Sequence, residues 1–179
     1  MPILVPLASY GITLSEIPDR IAIYLELGSC QNACPGCHSP HLANPAPLTK
    51  LEDLEALVEK ACEQGANALV VLGGTTNGLA ESDLIEILRR LGTILPCCLY
   101  SGSDDAERDK DIAAKAFCHW LKTGSYRKDL GGLASPTTNQ RFYQLEMRFI
   151  FDKHDLCQSA QPIFHDQTYE FQKGGVPCH

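Results

Sequence analysis

The sequence predicts an α/β protein built on a mainly parallel sheet. Two observations carry this. Apolar, partly β-branched runs alternate with stretches whose apolar residues recur at helical spacing, and each run ends in glycine or a small polar turn. At 179 residues, a single domain with one substantial core is expected, its core within residues 10–151 and a C-terminal extension over 152–179.

The elements follow in order. Ile21–Leu27 reads as a buried strand closed by Gly28. Asn44-Pro45-Ala46-Pro47 breaks the chain, and Thr49-Lys50-Leu51-Glu52 has the capping-box pattern. The helix it opens carries one stripe of Leu51, Leu54, Leu57, Val58, Ala61 and Cys62, and Gly65 stops it. Ala68–Leu72 is a second strand, ending in Gly73-Gly74-Thr75-Thr76-Asn77-Gly78. Asp83–Leu91 is a second helix closed by Gly92, and Cys97–Tyr100 a third strand ending at Ser101-Gly102. Asp104–Ala116 reads as a surface helix and Phe117–Leu121 as a fourth strand, with later strands at Arg141–Phe151 and Thr168–Phe171. In parallel sheets ligands bind beyond the carboxyl ends of the strands. The loop after Gly28, the Gly73-Gly74 turn and Ser101-Gly102 should therefore meet at one sheet edge.

Composition narrows the function. A net charge of −7 argues against a general nucleic-acid or membrane-surface binder. No apolar run reaches membrane-spanning length, and residues 1–14 lack the pattern of a signal peptide, so a cytoplasmic location is expected. In that setting nine cysteines are a poor disulfide framework.

Three of those cysteines, Cys30, Cys34 and Cys37, fall at C-x3-C-x2-C spacing directly after the first strand. Three thiolates on one short loop suit a [4Fe–4S] cluster and leave its fourth iron open to a ligand. Rival readings fit less well. Cys34 to His38 alone spells the c-type haem attachment pattern, but that needs export. A Cys34/Cys37 redox pair leaves Cys30 unexplained. Zinc held by the three cysteines and His38 requires adjacent residues to reach one tetrahedral ion. A two-cluster ferredoxin needs a second cysteine run that is absent. Buried small hydrophobes do not explain three thiols in eight residues beside Pro35 and Gly36.

This motif after the first strand of a β/α domain resembles the radical S-adenosylmethionine enzymes. The filling Cys34-Pro35-Gly36-Cys37-His38 is similar to that of the activating proteins of anaerobic ribonucleotide reductases. So are Lys122-Thr123-Gly124-Ser125-Tyr126, Leu130-Gly131-Gly132-Leu133 and Ser135–Phe142, together with Tyr10–Thr13 and Glu16–Asp19. The resemblance runs from about residue 10 to about residue 150. It implies an incomplete (β/α) barrel, since a full eight-unit barrel takes ~250 residues. It also implies a glycyl-radical-activating oxidoreductase. A [4Fe–4S] cluster on Cys30, Cys34 and Cys37 would bind S-adenosyl-L-methionine and cleave it reductively. The resulting 5′-deoxyadenosyl radical would take hydrogen from a glycine of the reductase large subunit. The electron would come from a low-potential flavodoxin- or ferredoxin-like donor.

Under the same resemblance, Gly73 and Gly74 match the turn lying along the cofactor's methionine part, and Ser101 matches a small polar contact after the third strand. The chain departs where many relatives carry an acidic residue and a proline: it has Thr75-Thr76. The carboxylate expected to hold the cofactor's ammonium is missing, and the Thr75 hydroxyl, Asn77 or backbone carbonyls are the substitutes at hand. Two alternatives stay open: a small radical enzyme acting on a metabolite, in the manner of deazapurine-forming synthases, and a non-catalytic zinc-binding module.

The other candidates have plain readings. Cys62, Cys97, Cys98 and Cys118 read as core, and His38 as a loop histidine beside the cluster or bound to backbone. The charge run Asp104–Asp111 reads as a solvated helix face. Asn139-Gln140 either binds buried backbone or holds its loop over the site. Cys157, Cys178 and His179 carry no assigned role, and Gly174–His179 reads as a mobile end.

Overall fold

The computed structural model describes residues 2–151 and 157–173; Cys178 and His179 lie outside them. The described strands are β1 (Leu4–Thr13), β2 (Ala22–Leu27), β3 (Leu48–Lys50), β4 (Ala68–Leu72), β5 (Cys97–Tyr100), β6 (Trp120–Thr123), β7 (Arg141–Phe151) and β8 (Cys157–Asp166). The helices are α1 (Leu51–Glu63), α2 (Glu81–Gly92), α3 (Ala106–Lys115) and α4 (Thr168–Lys173). A 3-10 turn spans Pro40–Ala43.

The strands form one eight-stranded sheet in the order β3-β1-β2-β4-β5-β6-β7-β8. The four central strands, β2, β4, β5 and β6, run parallel, as the alternating pattern predicts. Antiparallel pairs extend the sheet on both sides, and the eight strands do not close into a barrel.

Alternation along each central strand splits the core between two faces. Ile23, Leu25, Leu69, Val71, Cys97, Leu99 and Leu121 pack against Leu54 and Val58 of α1, Leu84 and Leu88 of α2, and Ile112 of α3. On the other face Ala22, Val70, Cys98, Trp120 and Phe142 meet Ile17, Leu133 and Phe171. Each such fully buried aliphatic or aromatic side chain stabilises the fold by about 1.5–3 kcal/mol.

Several boundaries differ from expectation, each for a local reason. The fourth strand starts at Trp120 and not at Phe117, because α3 ends in a turn that puts Phe117 at φ 55°. Thr168–Phe171 is helical: the Asp166 carboxylate accepts from the Thr168 N–H at 2.9 Å and so caps α4. Thr49 belongs to β3, and Lys50 caps α1 without a side-chain hydrogen bond; Glu52 and Asp53 sit in its first turn instead. Cys62 is exposed and not core. Gly92 is the last residue of α2, with Thr93 as cap.

Candidate functional site

The three expected strand-end segments meet. The cysteine loop leaves β2 at Gly28, where an added Cβ would lie 2.5 Å from that of Ala46. Its backbone then bonds across the sheet edge: Gln31 N–H donates to Thr76 O at 2.9 Å and Cys30 N–H to Leu42 O at 2.8 Å. The Asn32 amide donates to Gly102 O at 2.5 Å, and Cys30 Sγ lies 3.7 Å from Thr76 Oγ1. Ser29 (φ 64°) and Ala33 (φ 46°) hold left-handed conformations that non-glycine residues avoid. Such strain concentrates at functional sites.

The end of the loop is tied to β2 by one carboxylate. Glu26 accepts from the Ser9 hydroxyl and from Ser39 Oγ at 3.3 Å, and pairs with His41 Nε2 at 3.0 Å. Partial burial works to raise the Glu26 pKa, but the hydrogen bonds from Ser9, His41 and Ser39 prevail and hold it low.

Cys30 and Cys34 are partly buried, Cys37 is exposed, and all three are free thiols. The Ser39 N–H donates to Cys37 Sγ at 3.4 Å. A cavity of about 910 Å³ opens beside them, lined by Asn32, Cys34, Thr75, Thr76, Ser125 and Arg127 among others. Of the expected binding residues only Cys34 and Thr75 line it; Cys30, Cys37, Gly73, Gly74, Asn77 and Ser101 do not. Gly73 and Gly74 turn at φ 101° and 100°, a conformation that suits glycine. Asn77 is buried with its Nδ2 unpaired.

Segment 124–140 closes the second side. Ser125 binds the Asp104 carboxylate through its N–H at 2.8 Å and its hydroxyl at 2.9 Å. Asn139 Nδ2 donates to Ser125 O at 2.9 Å and Gln140 Nε2 to Gly124 O at 3.3 Å, so both amides satisfy backbone groups. His38 packs on Tyr126, and an added Cβ on Gly36 would lie 3.3 Å from the Lys128 side chain.

Two buried charges lie behind the cavity wall. Lys122 Nζ donates to Ser101 O at 3.2 Å and Gly124 O at 2.7 Å. Burial pushes its pKa down to about 8, against the pull of Asp109 and Cys34. Asp109 is fully buried on α3, so the charge run is not wholly a solvated face. Burial raises its pKa, opposed by hydrogen bonding from Thr123 and Ser101. Neither residue stands out as a site residue in the sequence. The available signal for Asp109 is its place three residues before Ile112, on the apolar side of α3.

The donor set at the loop is one of thiols. Among the described residues no three Cys, His, Asp or Glu side chains are gathered at metal-binding distance. The fit therefore rests on chemistry: three reduced, unpaired thiols on one loop, a backbone N–H on Cys37 Sγ, and an adjoining cavity reached by Cys34. Soft thiolates are the ligands iron–sulfur clusters take.

No family model matches the chain, and no curated protein or solved structure matches it significantly. Among the described residues no helix is long and apolar enough to cross a membrane.

Proposed function

We propose that the protein is a radical S-adenosylmethionine activase that installs a glycyl radical on anaerobic ribonucleotide reductase. The observation that carries this reading is convergence. The cysteine loop, the Gly73-Gly74-Thr75 turn, Ser101-Gly102 and segment 124–140, which together bear the family-like motifs, all meet at the carboxyl edge of the parallel strands. That edge is where such sheets bind ligands.

Cys30, Cys34 and Cys37 would hold the [4Fe–4S] cluster, and Thr75 would lie on the wall that seats S-adenosyl-L-methionine, with Gly73, Gly74, Asn77 and Ser101 backing it. A cluster held there would supply the electron for reductive cleavage of S-adenosylmethionine to methionine and a 5′-deoxyadenosyl radical, the species that would take a hydrogen atom from a glycine of the reductase. This chain's residues orient and shield that chemistry. The bond from Asn32 to Gly102 and that from Gln31 to Thr76 fix the loop against the cofactor wall. Segment 124–140 covers the other side. The unclosed sheet, an incomplete barrel in this reading, leaves an edge where a protein substrate can reach the site. The setting is cytoplasmic, and the electron comes from a flavodoxin- or ferredoxin-like protein.

Anaerobic reconstitution followed by metal and sulfide analysis tests the cofactor. About four irons and four sulfides per chain, with 5′-deoxyadenosine released on adding reductant and S-adenosylmethionine, support the proposal. One zinc per chain without sulfide sinks it in favour of a zinc module.

A further inference from the structure

Ser39 stands at the head of the 3-10 turn Pro40–Ala43, a position where a serine side chain ordinarily caps free N–H groups. Here it makes no capping bond. Its hydroxyl goes instead to Glu26 Oε1 on β2, at 3.3 Å.

Glu26 is itself held from two sides. Its other oxygen, Oε2, accepts from the Ser9 hydroxyl of β1 and lies 3.0 Å from His41 Nε2, inside the same turn. The Glu26 side chain is only 13% exposed. Withdrawing a carboxylate from water is unfavourable unless it is hydrogen-bonded, and these three partners offset that penalty. They also leave the carboxylate little freedom, so the turn is pinned to the sheet at Ser39 and at His41.

The pinned turn reaches two of the three cysteines. The Ser39 N–H donates to Cys37 Sγ at 3.4 Å, and Leu42 O accepts from the Cys30 N–H at 2.8 Å. Ser39 is the hinge of this arrangement: its hydroxyl faces Glu26 and its N–H faces the sulfur. An N–H donated to a ligating thiolate favours the more negative, reduced state of an iron–sulfur cluster. Groups that orient a ligand from behind also govern how firmly the metal is kept.

We propose that Glu26 is a positioning residue for the cluster: by gripping Ser39 and His41 it aims the Ser39 N–H at Cys37 Sγ, and so sets both the retention and the reduction potential of the iron–sulfur group. The inference rests on the iron–sulfur reading of Cys30, Cys34 and Cys37. It adds a carboxylate outside the ligand set to the residues on which that reading depends.

The test uses anaerobically reconstituted protein and two readouts, the rate of iron loss to a chelator and the cluster midpoint in a spectroscopic redox titration. Ser39→Ala is the deciding variant. It replaces a neutral side chain by a neutral one and keeps the N–H, but releases that N–H from Glu26. Iron loss should quicken about tenfold, and the midpoint should fall. Ser39→Thr keeps the hydroxyl and should restore both values. Glu26→Ala should also lose iron faster; its midpoint is not compared, because deleting a negative charge raises the potential by itself. The Glu26→Ala/Ser39→Ala pair should lose iron no faster than Glu26→Ala alone, since the two residues act as one unit. A wild-type midpoint in Ser39→Ala, a wild-type rate of iron loss in it, or additive losses in the pair overturn the proposal. If Glu26→Ala does not fold, Ser39→Ala and Ser39→Thr decide alone. Wild-type protein that takes up no iron–sulfur cluster overturns the functional reading itself, and this inference with it.

Discussion

The His38 ring meets the Tyr126 ring edge-on, with 5.2 Å between centroids. This contact joins the cysteine loop to segment 124–140, two stretches far apart in sequence. An aromatic contact of this kind stabilises by about 0.5–1.5 kcal/mol beyond its burial. Tyr126→Ala should therefore loosen the loop without unfolding the sheet. Iron loss from reconstituted protein to a chelator should quicken about 2- to 10-fold, while the far-ultraviolet circular dichroism stays as in the wild type. An unchanged rate of loss would separate the two segments functionally.

Cys34 lines the cavity, whereas Cys62 sits exposed on α1 away from it. Cys34→Ala should abolish reductive cleavage of S-adenosylmethionine and lower the bound iron. Cys62→Ser should retain both. Metal analysis and chromatographic detection of 5′-deoxyadenosine read the two outcomes. Wild-type cleavage by Cys34→Ala would refute the ligand assignment.

Gly74 turns at φ 100°, and an added Cβ would lie 2.6 Å from Leu84 Cδ1, a core atom of α2. Gly74→Ala combines backbone strain with overpacking and should cost about 1–3 kcal/mol. Urea denaturation would show this as a lower midpoint at unchanged slope. Gly65→Ala is the control: it too has positive φ, but nothing lies within 4 Å of its added Cβ. Equal losses would reduce the effect to strain alone.

Lys122 gives the protein a pH signature. Burial lowers its pKa from 10.5 to about 8 in the fold. Between those values the unfolded chain binds more protons than the folded one, so stability rises with pH. The rise from pH 8 to pH 9 should be about 1 kcal/mol. Cys97, pushed up by its hydrogen bond with Cys118 and by burial, and Cys98, pushed up by burial, oppose the trend once unfolded thiols ionise near pH 9. The comparison is therefore with Lys122→Met, by denaturation under reducing conditions. Parallel pH curves for the two proteins would contradict the assignment.

The central βαβ pattern was legible because β4 and β5 are continuous apolar runs and β2 is interrupted only by Glu26, each with a breaker after it. The meeting of strand-end loops follows from that topology. The antiparallel flanks were harder to see. β1 contains Pro6 and Gly11, which interrupt its alternation, and β8 contains Pro162 among polar residues. Thr168–Phe171 is helical through the Asp166 cap and the packing of Phe171 on Phe142 at 4.9 Å, a contact across the sheet that no local pattern encodes. In the site the thiols, glycines and Thr75 could be read directly, since their chemistry lies in residue type and spacing. Asp109, Lys122 and Glu26 could not. A charged residue in a helix or strand reads as solvated until the fold buries it beside partners from distant segments.

Radical transfer to a protein glycine is the step that sets the proposed function apart from every other reading of the site. The most direct measurement is electron paramagnetic resonance of the reductase large subunit after anaerobic incubation with reconstituted protein, reductant and S-adenosylmethionine. A glycyl radical that needs all components and disappears with Cys34→Ala is expected. Sustained release of 5′-deoxyadenosine with no radical on the reductase would contradict it and point to a metabolite as substrate.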